Sequence, residues 1–243
     1  MVGRPQPRRR AVAQFIADDM RKDDLKYMPN TTALLQSTGM TFENAFVSNA
    51  LCCPSRATIM RGQYSHNTGV WSNSSSTTAG GWLVYQQYGN EADNVATRLQ
   101  AAGYKTGLFG KYLNGYDNTT YRPPGWDRWF GAFTLGTLHY FDYDVNDQGT
   151  ITHYGTSASD YSTDVISKQA DAFISSSASQ GTPFFAYVAP LAPTIRPHLP
   201  PATPTSTTAS KAPAFPPSTR PTSRTNRPGS GISRSSHPPR SPR

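Results

Sequence analysis

The amino-acid sequence predicts an α/β fold in which a mixed, mostly parallel sheet is flanked by helices. Short apolar runs alternate with amphipathic segments across residues 11–193, and this alternation is typical of βαβ units. Residues 11–17 and 184–189 have the apolar content of buried strands, and residues 160–175 carry apolar side chains at helical spacing. Since ligands gather where parallel strands end, polar residues that follow strands are the first candidates for a functional site.

The remaining elements are predicted from start and stop residues. Asn30 is a helix N-cap, Pro54 suits the first turn of a helix, and Gly103 ends an amphipathic segment. On these grounds we expect helices over 30–37, 54–61 and 94–102, strands over 41–48 and 104–109, and a hairpin or loop over 140–147.

Charge and composition divide the 243 residues into unequal parts. Residues 1–193 hold 15 basic and 15 acidic residues, whereas residues 194–243 hold 8 basic residues, no acidic residue and 12 of the 21 prolines. The net charge of +8 therefore comes from the C-terminal segment and does not indicate a nucleic-acid partner. We predict a basic disordered N-terminus (1–10), a folded domain (11–193) and a disordered Pro/Ser/Thr/Arg-rich tail (194–243).

Several protein classes are excluded by simple counts. No apolar run approaches the roughly 20 residues that span a bilayer, so no membrane partner is expected. The two cysteines are adjacent, which excludes a disulfide framework. The basic start is not followed by a hydrophobic stretch of about 7–15 residues, so no secretory signal is recognised and the localisation stays open.

One motif carries most of the functional information. Residues 51–62 are LCCPSRATIMRG, in which Cys52, Pro54, Ser55 and Arg56 form a Cys-x-Pro-Ser-Arg core and Gly62 closes the pattern. This segment resembles the signature of the sulfatase family, with similarity to N-acetylglucosamine-6-sulfatases and arylsulfatases, and Arg61 stands where Thr or Ser is usual. The resemblance covers about residues 13–193 and is expected to end incompletely at the C-terminus.

The resemblance implies an alkaline-phosphatase-like sheet, with residues 11–193 as a partial catalytic domain. It also implies a sulfuric ester hydrolase that acts on a sulfated sugar or an aryl sulfate. A formylglycine-generating enzyme would oxidise Cys52 to formylglycine, whose hydrated gem-diol attacks the sulfur and then releases sulfate. The helix that begins near Pro54 would direct its N–H groups at an anion, and Arg56 would hold the gem-diol. Without the motif, Cys52 and Cys53 would be interpreted as small buried hydrophobes.

Further site residues are implied by the same resemblance. Asp18 and Asp19 follow the first strand and would bind Ca²⁺ or Mg²⁺ through their carboxylates, although alone they would suggest a solvated turn. Lys111, in the segment GYKTGLFGKYLNGY, would contact the sulfate, although a surface position is usual for lysine.

The family pattern breaks after Pro193. Related sulfatases would have a His directly after the Ala-Pro pair, where this chain has Thr194. Two explanations of the change are open. One is a natural linker or basic arm, and the other is a shift of the reading frame. One alternative to an active sulfatase is an inactive truncated fragment with a basic disordered tail. Another is a phosphatase on the same scaffold, against which Cys52 argues.

Overall fold

A computed structural model describes residues 10–74, 78, 80–133 and 140–194. The predicted N-terminus (1–10, apart from Arg10) and tail (194–243, apart from Thr194) lie outside these residues. All described residues belong to one structural unit. Within them, no helix is both long enough and apolar enough to span a bilayer.

The central element is a six-stranded sheet with the order β1-β6-β2-β3-β4-β5. Its strands are β1 (Val12–Phe15), β2 (Lys105–Lys111), β3 (Arg128–Ala132), β4 (Tyr143–Asp147), β5 (Thr150–Tyr154) and β6 (Phe184–Ala189). The pairs β1–β6, β6–β2 and β2–β3 are parallel, whereas β3–β4 and β4–β5 are antiparallel. The prediction of a mixed, mostly parallel sheet is therefore confirmed.

The helices bracket this sheet. They are α1 (Pro29–Thr31), which continues as a π-helical turn over Thr32–Gln36, α2 (Cys52–Arg61), α3 (Ser65–Thr68), α4 (Gly81–Gln87), α5 (Val95–Ala101) and α6 (Ser162–Ser179). Short 3₁₀ helices occupy Lys22–Tyr27 and Ala158–Asp160. The predicted helices are thus present with shifted ends, but Asn30 is not the predicted N-cap, since it lies inside α1 and Met28 is the N-cap residue. Helix α4 and strand β3 have no counterpart in the prediction.

Side chains of strand β6 alternate between two cores. Phe185 and Tyr187 pack with Leu108 and the α2, α4 and α5 side of the molecule. Ala186 and Val188 pack with α6 on the other face. Every β6 residue is buried because a parallel strand in the middle of a sheet is covered on both faces.

The predicted strand over 41–48 is wrong. The structure has turns and bends there, and Phe42 and Phe46 are 73% and 90% exposed. An alternating pattern makes a strand only when a neighbouring strand accepts its backbone hydrogen bonds, and no described strand pairs with this segment.

Candidate active site

The predicted site residues converge at the carboxyl edge of the parallel strands. Asp18 and Asp19 follow β1, Lys111 is the last residue of β2, and Thr194 lies beyond the end of β6. The backbone N–H of Asp18 donates to the carbonyl of Ala192 over 3.3 Å, which joins the ends of β1 and β6. Asp19 has φ 56°, a left-handed conformation that Asp adopts more readily than most residues.

Helix α2 brings the cysteine motif to this edge. Cys52 is its first residue, and Gly62 ends it with φ 64° in the left-handed conformation that glycine favours. The N–H of Cys53 donates to Oδ1 of Asn73 over 2.8 Å, so one of the free N–H groups of the first turn is satisfied by a distant side chain. At the other end, Arg61 pairs with Asp93, with 2.9 Å between Nη1 and Oδ2.

A buried ionic cluster forms the floor of the site. Nη2 of Arg56 lies 2.8 Å from Oδ1 of Asp18, and Nζ of Lys111 lies 2.5 Å from Oδ2 of the same carboxylate. Asp18, Arg56 and Lys111 are 4%, 2% and 1% exposed. Nη1 of Arg56 also donates to the carbonyl oxygen of Lys111 over 2.8 Å. The cluster holds two cations and one anion in a buried place.

The cluster also determines the ionisation of Asp18. Burial acts to raise the pKa of this carboxyl, but the charges of Arg56 and Lys111 and their hydrogen bonds outweigh it and hold the pKa below its ordinary value. Asp18 is therefore a carboxylate over the whole neutral range.

The two cysteines differ sharply in environment. Cys53 is fully buried, and burial raises the pKa of its thiol to about 12. Cys52 is only partly buried, and its Sγ lies 3.9 Å from Oδ1 of the exposed Asp19. Of the pair, Cys52 is the cysteine that reagents and enzymes in solution can reach.

A divalent cation fits the donor chemistry of this place. Ligand atoms of Asp18, Asp19 and Cys52 all lie within 4.8 Å of one another, and this is the group of three such side chains found in the described residues. Carboxylate oxygens are what Ca²⁺ and Mg²⁺ prefer. Since Asp18 already accepts from Arg56 and Lys111, a cation here would share that carboxylate with them.

Two contacts were not predicted from the sequence. Oγ1 of Thr194 donates to Oδ2 of Asp18 over 2.7 Å, although this residue was assigned to the tail. Asn73 is the other, because nothing in its local sequence indicates a partner 20 residues earlier. Both contacts depend on chain segments brought together only by folding.

This fold, with a cysteine at the start of a helix beside a buried ionic cluster, defines a candidate hydrolase of the alkaline-phosphatase-like type. The sulfatase family model matches residues 14–225, and the chain belongs to the sulfatase family. The resemblance stated from the motif is thus confirmed.

Similar proteins agree with this assignment. The chain is 38% identical over 163 residues to the extracellular sulfatase SULF-1 homolog of Drosophila melanogaster, and the match covers 67% of this chain and 14% of that protein. It is 32% identical over 197 residues to the N-acetylglucosamine-6-sulfatase of Homo sapiens, and the match covers 76% of this chain and 34% of that protein. The chain therefore spans about a third or less of these relatives.

A solved structure supports the same fold. The structure of a protein in complex with its substrate D-glucosamine-2-N,6-O-disulfate superposes on this chain with a TM-score of 0.62 at 25% identity. The match covers 76% of this chain and 35% of that protein's chain.

Proposed function

We propose that this chain contributes to the hydrolysis of sulfate esters, with Cys52 as the precursor of the nucleophile. The observation that supports this most is the position of Cys52, partly exposed at the start of α2 and beside Asp19, at the edge where Asp18, Arg56 and Lys111 form a buried cluster. A formylglycine-generating enzyme would convert Cys52 before the chain folds, and the product would then lie at this partly exposed position. Formylglycine at position 52 would supply, once hydrated, the hydroxyl group that attacks sulfur.

The neighbouring charges suit an anionic substrate. Arg56 and Lys111 bring two positive charges to the buried floor, where Asp18 balances one of them. The exposed Asp19 beside Cys52 balances the other, so the positive excess would come from the proposed cation.

A sulfate group that approaches the start of α2 would meet the charges of Arg56 and Lys111 and the positive end of the helix dipole. The first turn offers it few N–H groups, because that of Cys53 donates to Asn73, that of Ser55 donates to the carbonyl oxygen of Leu51, and Pro54 has none. Lys111 would contact the sulfate oxygens, and Arg56 would orient the side chain at position 52.

Asp18 and Asp19 would hold the divalent cation, Ca²⁺ or Mg²⁺. Such an ion, when bound, supplies positive charge that neutralises the sulfuryl oxygens. Asp18 is kept ionised by Arg56 and Lys111, so it is available as an oxygen ligand without a proton to lose. Asp19 is exposed and can turn towards an ion at little cost.

The substrate class follows from the relatives as a proposal. One similar protein is named N-acetylglucosamine-6-sulfatase, and another was solved with a disulfated glucosamine. We therefore infer a sulfate ester of a sugar as the substrate, with aryl sulfates as the alternative.

A second candidate is an inactive chain. Both oxygens of Asp18 already have partners in Arg56, Lys111 and Thr194, so this carboxylate is satisfied without any cation. Such an arrangement also serves a purely structural role.

The test separates maturation from turnover. The chain is produced together with a formylglycine-generating enzyme, and the Cys52 peptide is examined by mass spectrometry. Sulfate release from glucosamine 6-sulfate and from 4-nitrophenyl sulfate is then measured with Ca²⁺. We expect conversion at Cys52 and turnover that Cys52→Ala abolishes, whereas the matched variant Cys53→Ala keeps both. Conversion at Cys52 without any sulfate release would favour the inactive alternative.

A further inference from the structure

The chain that joins the two parts of the candidate site contains a stretch that packs into neither core. It runs from residue 27 to residue 47, between Asp19 and Cys52, and the structure describes all of it. Within this stretch no residue is buried, and only Thr31 and Thr32 are partly covered. Neither hydrophobic core includes any of its side chains. We call residues 27–47 the connecting segment.

The connecting segment exposes a large amount of apolar surface. Of the 17 large apolar side chains that are exposed among the described residues, eight lie in these 21 residues. The most exposed are Phe46 at 90%, Met40 at 76%, and Tyr27 and Phe42 at 73% each. Single exposed apolar side chains are normal on a protein, whereas a group of them marks a surface that another molecule covers.

The same segment carries almost no charge. Between Lys26 and Arg56 the only charged residue is Glu43, although about a quarter of the residues in an ordinary domain are charged. Oε2 of Glu43 lies 3.2 Å from Nζ of Lys22, so this charge already has a partner. Depletion of charge is typical of the centre of a protein–protein interface and unusual for a surface that faces water.

The pair between Lys22 and Glu43 also brings the two ends of the segment together. Lys22 begins the 3₁₀ helix that ends at Tyr27, and Phe42 is the neighbour of Glu43 in the chain. The exposed rings of Tyr27 and Phe42 therefore belong to the same region of the surface and not to opposite sides of the molecule.

Polar side chains in the middle of the segment are satisfied locally. Oγ1 of Thr38 donates to the carbonyl oxygen of Leu34 over 2.6 Å, and Oγ of Ser37 donates to the carbonyl oxygen of Ala33. These hydroxyl groups would not lose a hydrogen bond to water if a partner covered them, so burial of the neighbouring apolar side chains would carry little desolvation penalty.

The tail of this chain is a poor cover for the segment. Residues 195–243 contain only four large apolar residues, Ile195, Leu199, Phe215 and Ile232, together with 12 prolines. A sequence of this kind cannot present a continuous apolar face, because its few apolar side chains lie far apart among polar residues.

A second copy of the segment has a suitable size. If a covered aromatic side chain contributes roughly 150–250 Å², the rings of Tyr27, Phe42 and Phe46 at their present exposure offer about 350–590 Å². A stable interface needs about 800 Å² on each partner, and the five exposed aliphatic side chains of the segment would provide the remainder.

We propose that the connecting segment is the contact surface of a symmetric dimer, in which two copies of this chain pack these segments against each other. A two-fold contact places the same patch on both copies, so an apolar surface meets an apolar surface. Glu43 of each copy keeps its own lysine partner, and no like charges are brought together without a counter-charge. The inference uses no residue of the candidate site and does not depend on the proposed function.

Sedimentation velocity of the full, unconverted chain tests the dimer. The protein is measured from about 0.1 to 100 µM, a range that brackets a micromolar dissociation constant. We expect a reversible change from a species of 26.5 kDa to one of twice that mass, with nothing larger, because a two-fold contact closes on itself.

Point variants locate the contact. Phe42→Asp and Phe46→Asp should each weaken the dimer about tenfold or more, since each puts a charge into the apolar contact. Both residues are exposed in the single chain, so circular dichroism should show unchanged folding. Phe15→Asp is the matched control, because Phe15 is 62% exposed in strand β1, outside the segment, and this variant should dimerise like the wild type.

Three results would overturn the proposal. The first is a monomer at the highest concentration, which would mean that a different polypeptide covers the segment. The second is a series of aggregates larger than two copies, and the third is a dimer that Phe15→Asp weakens while Phe42→Asp and Phe46→Asp do not.

Discussion

Asp18→Asn removes the only negative charge of the buried ionic cluster formed by Asp18, Arg56 and Lys111. The amide would keep the shape of the side chain but leave two cations, 2% and 1% exposed, without their counter-charge. The amide oxygen can accept a hydrogen bond from one of the two cations. The amide NH₂ then faces the other cation, either Nη2 of Arg56 or Nζ of Lys111, which lie 2.8 and 2.5 Å from the present carboxylate oxygens. Breaking a buried pair in this way costs about 3–5 kcal/mol.

Urea unfolding followed by circular dichroism measures this cost. In a thermal melt of a chain of this size, a loss of that magnitude lowers Tm by about 6–20 °C. Asp144→Asn is a matched control, because this carboxylate lies 2.9 Å from His153 at the surface and should be worth less than about 1 kcal/mol. Adding Lys111→Met to Asp18→Asn should recover part of the loss, since one unpaired charge is removed with it. Equal stability of Asp18→Asn and the control would refute the account of the cluster.

Three further predictions concern single positions. Iodoacetamide at pH 8 should label Cys52 in the folded, unconverted chain and leave Cys53 unlabelled until urea unfolds it, because Cys53 is buried and its thiol stays protonated up to a pKa of about 12; peptide mass spectrometry would contradict this by finding equal labelling. Gly110→Ala should lower Tm markedly in a melting experiment, because Gly110 has φ +102° and a Cβ there would lie 2.2 Å from the carbonyl oxygen of Ala189. An unchanged Tm would contradict this close contact between the strands. Asn94→Ala should cost about 1 kcal/mol in urea unfolding, because its side chain accepts from two N–H groups at the start of α5, and a neutral result would argue against this cap.

The sequence was sufficient for the elements whose own residues determine them. Strand β6 has the predicted bounds because six consecutive apolar residues can be buried only between two covering layers. Helix α5 lies within the predicted range 94–102, and the side chain of Asn94 accepts hydrogen bonds from the N–H groups of Ala96 and Thr97 at its start. The segment 41–48 has the local pattern of a strand, but no strand among the described residues pairs with it, and local pattern alone cannot show whether a partner exists.

The candidate site was predictable as a set of residues but not as a set of contacts. Motif and order along the chain were enough to select Cys52, Arg56, Lys111, Asp18 and Asp19, and folding does bring these side chains to one edge. That Arg56 and Lys111 share a single carboxylate could not be predicted, because the pairing depends on how the ends of β1, β2 and α2 meet. Their catalytic and metal-binding roles stay predictions.

The pair between Arg61 and Asp93 shows that the last turn of α2 serves a different purpose from its first. Arg61 occupies the position where the family pattern has a small hydroxyl residue, yet here it reaches to the loop that precedes α5. A substitution at this position is expected to weaken the contact between α2 and the loop before α5, at the opposite end of the helix from Cys52. Protein engineers could therefore adjust the rigidity of the scaffold at residue 61 without redesigning the reacting end.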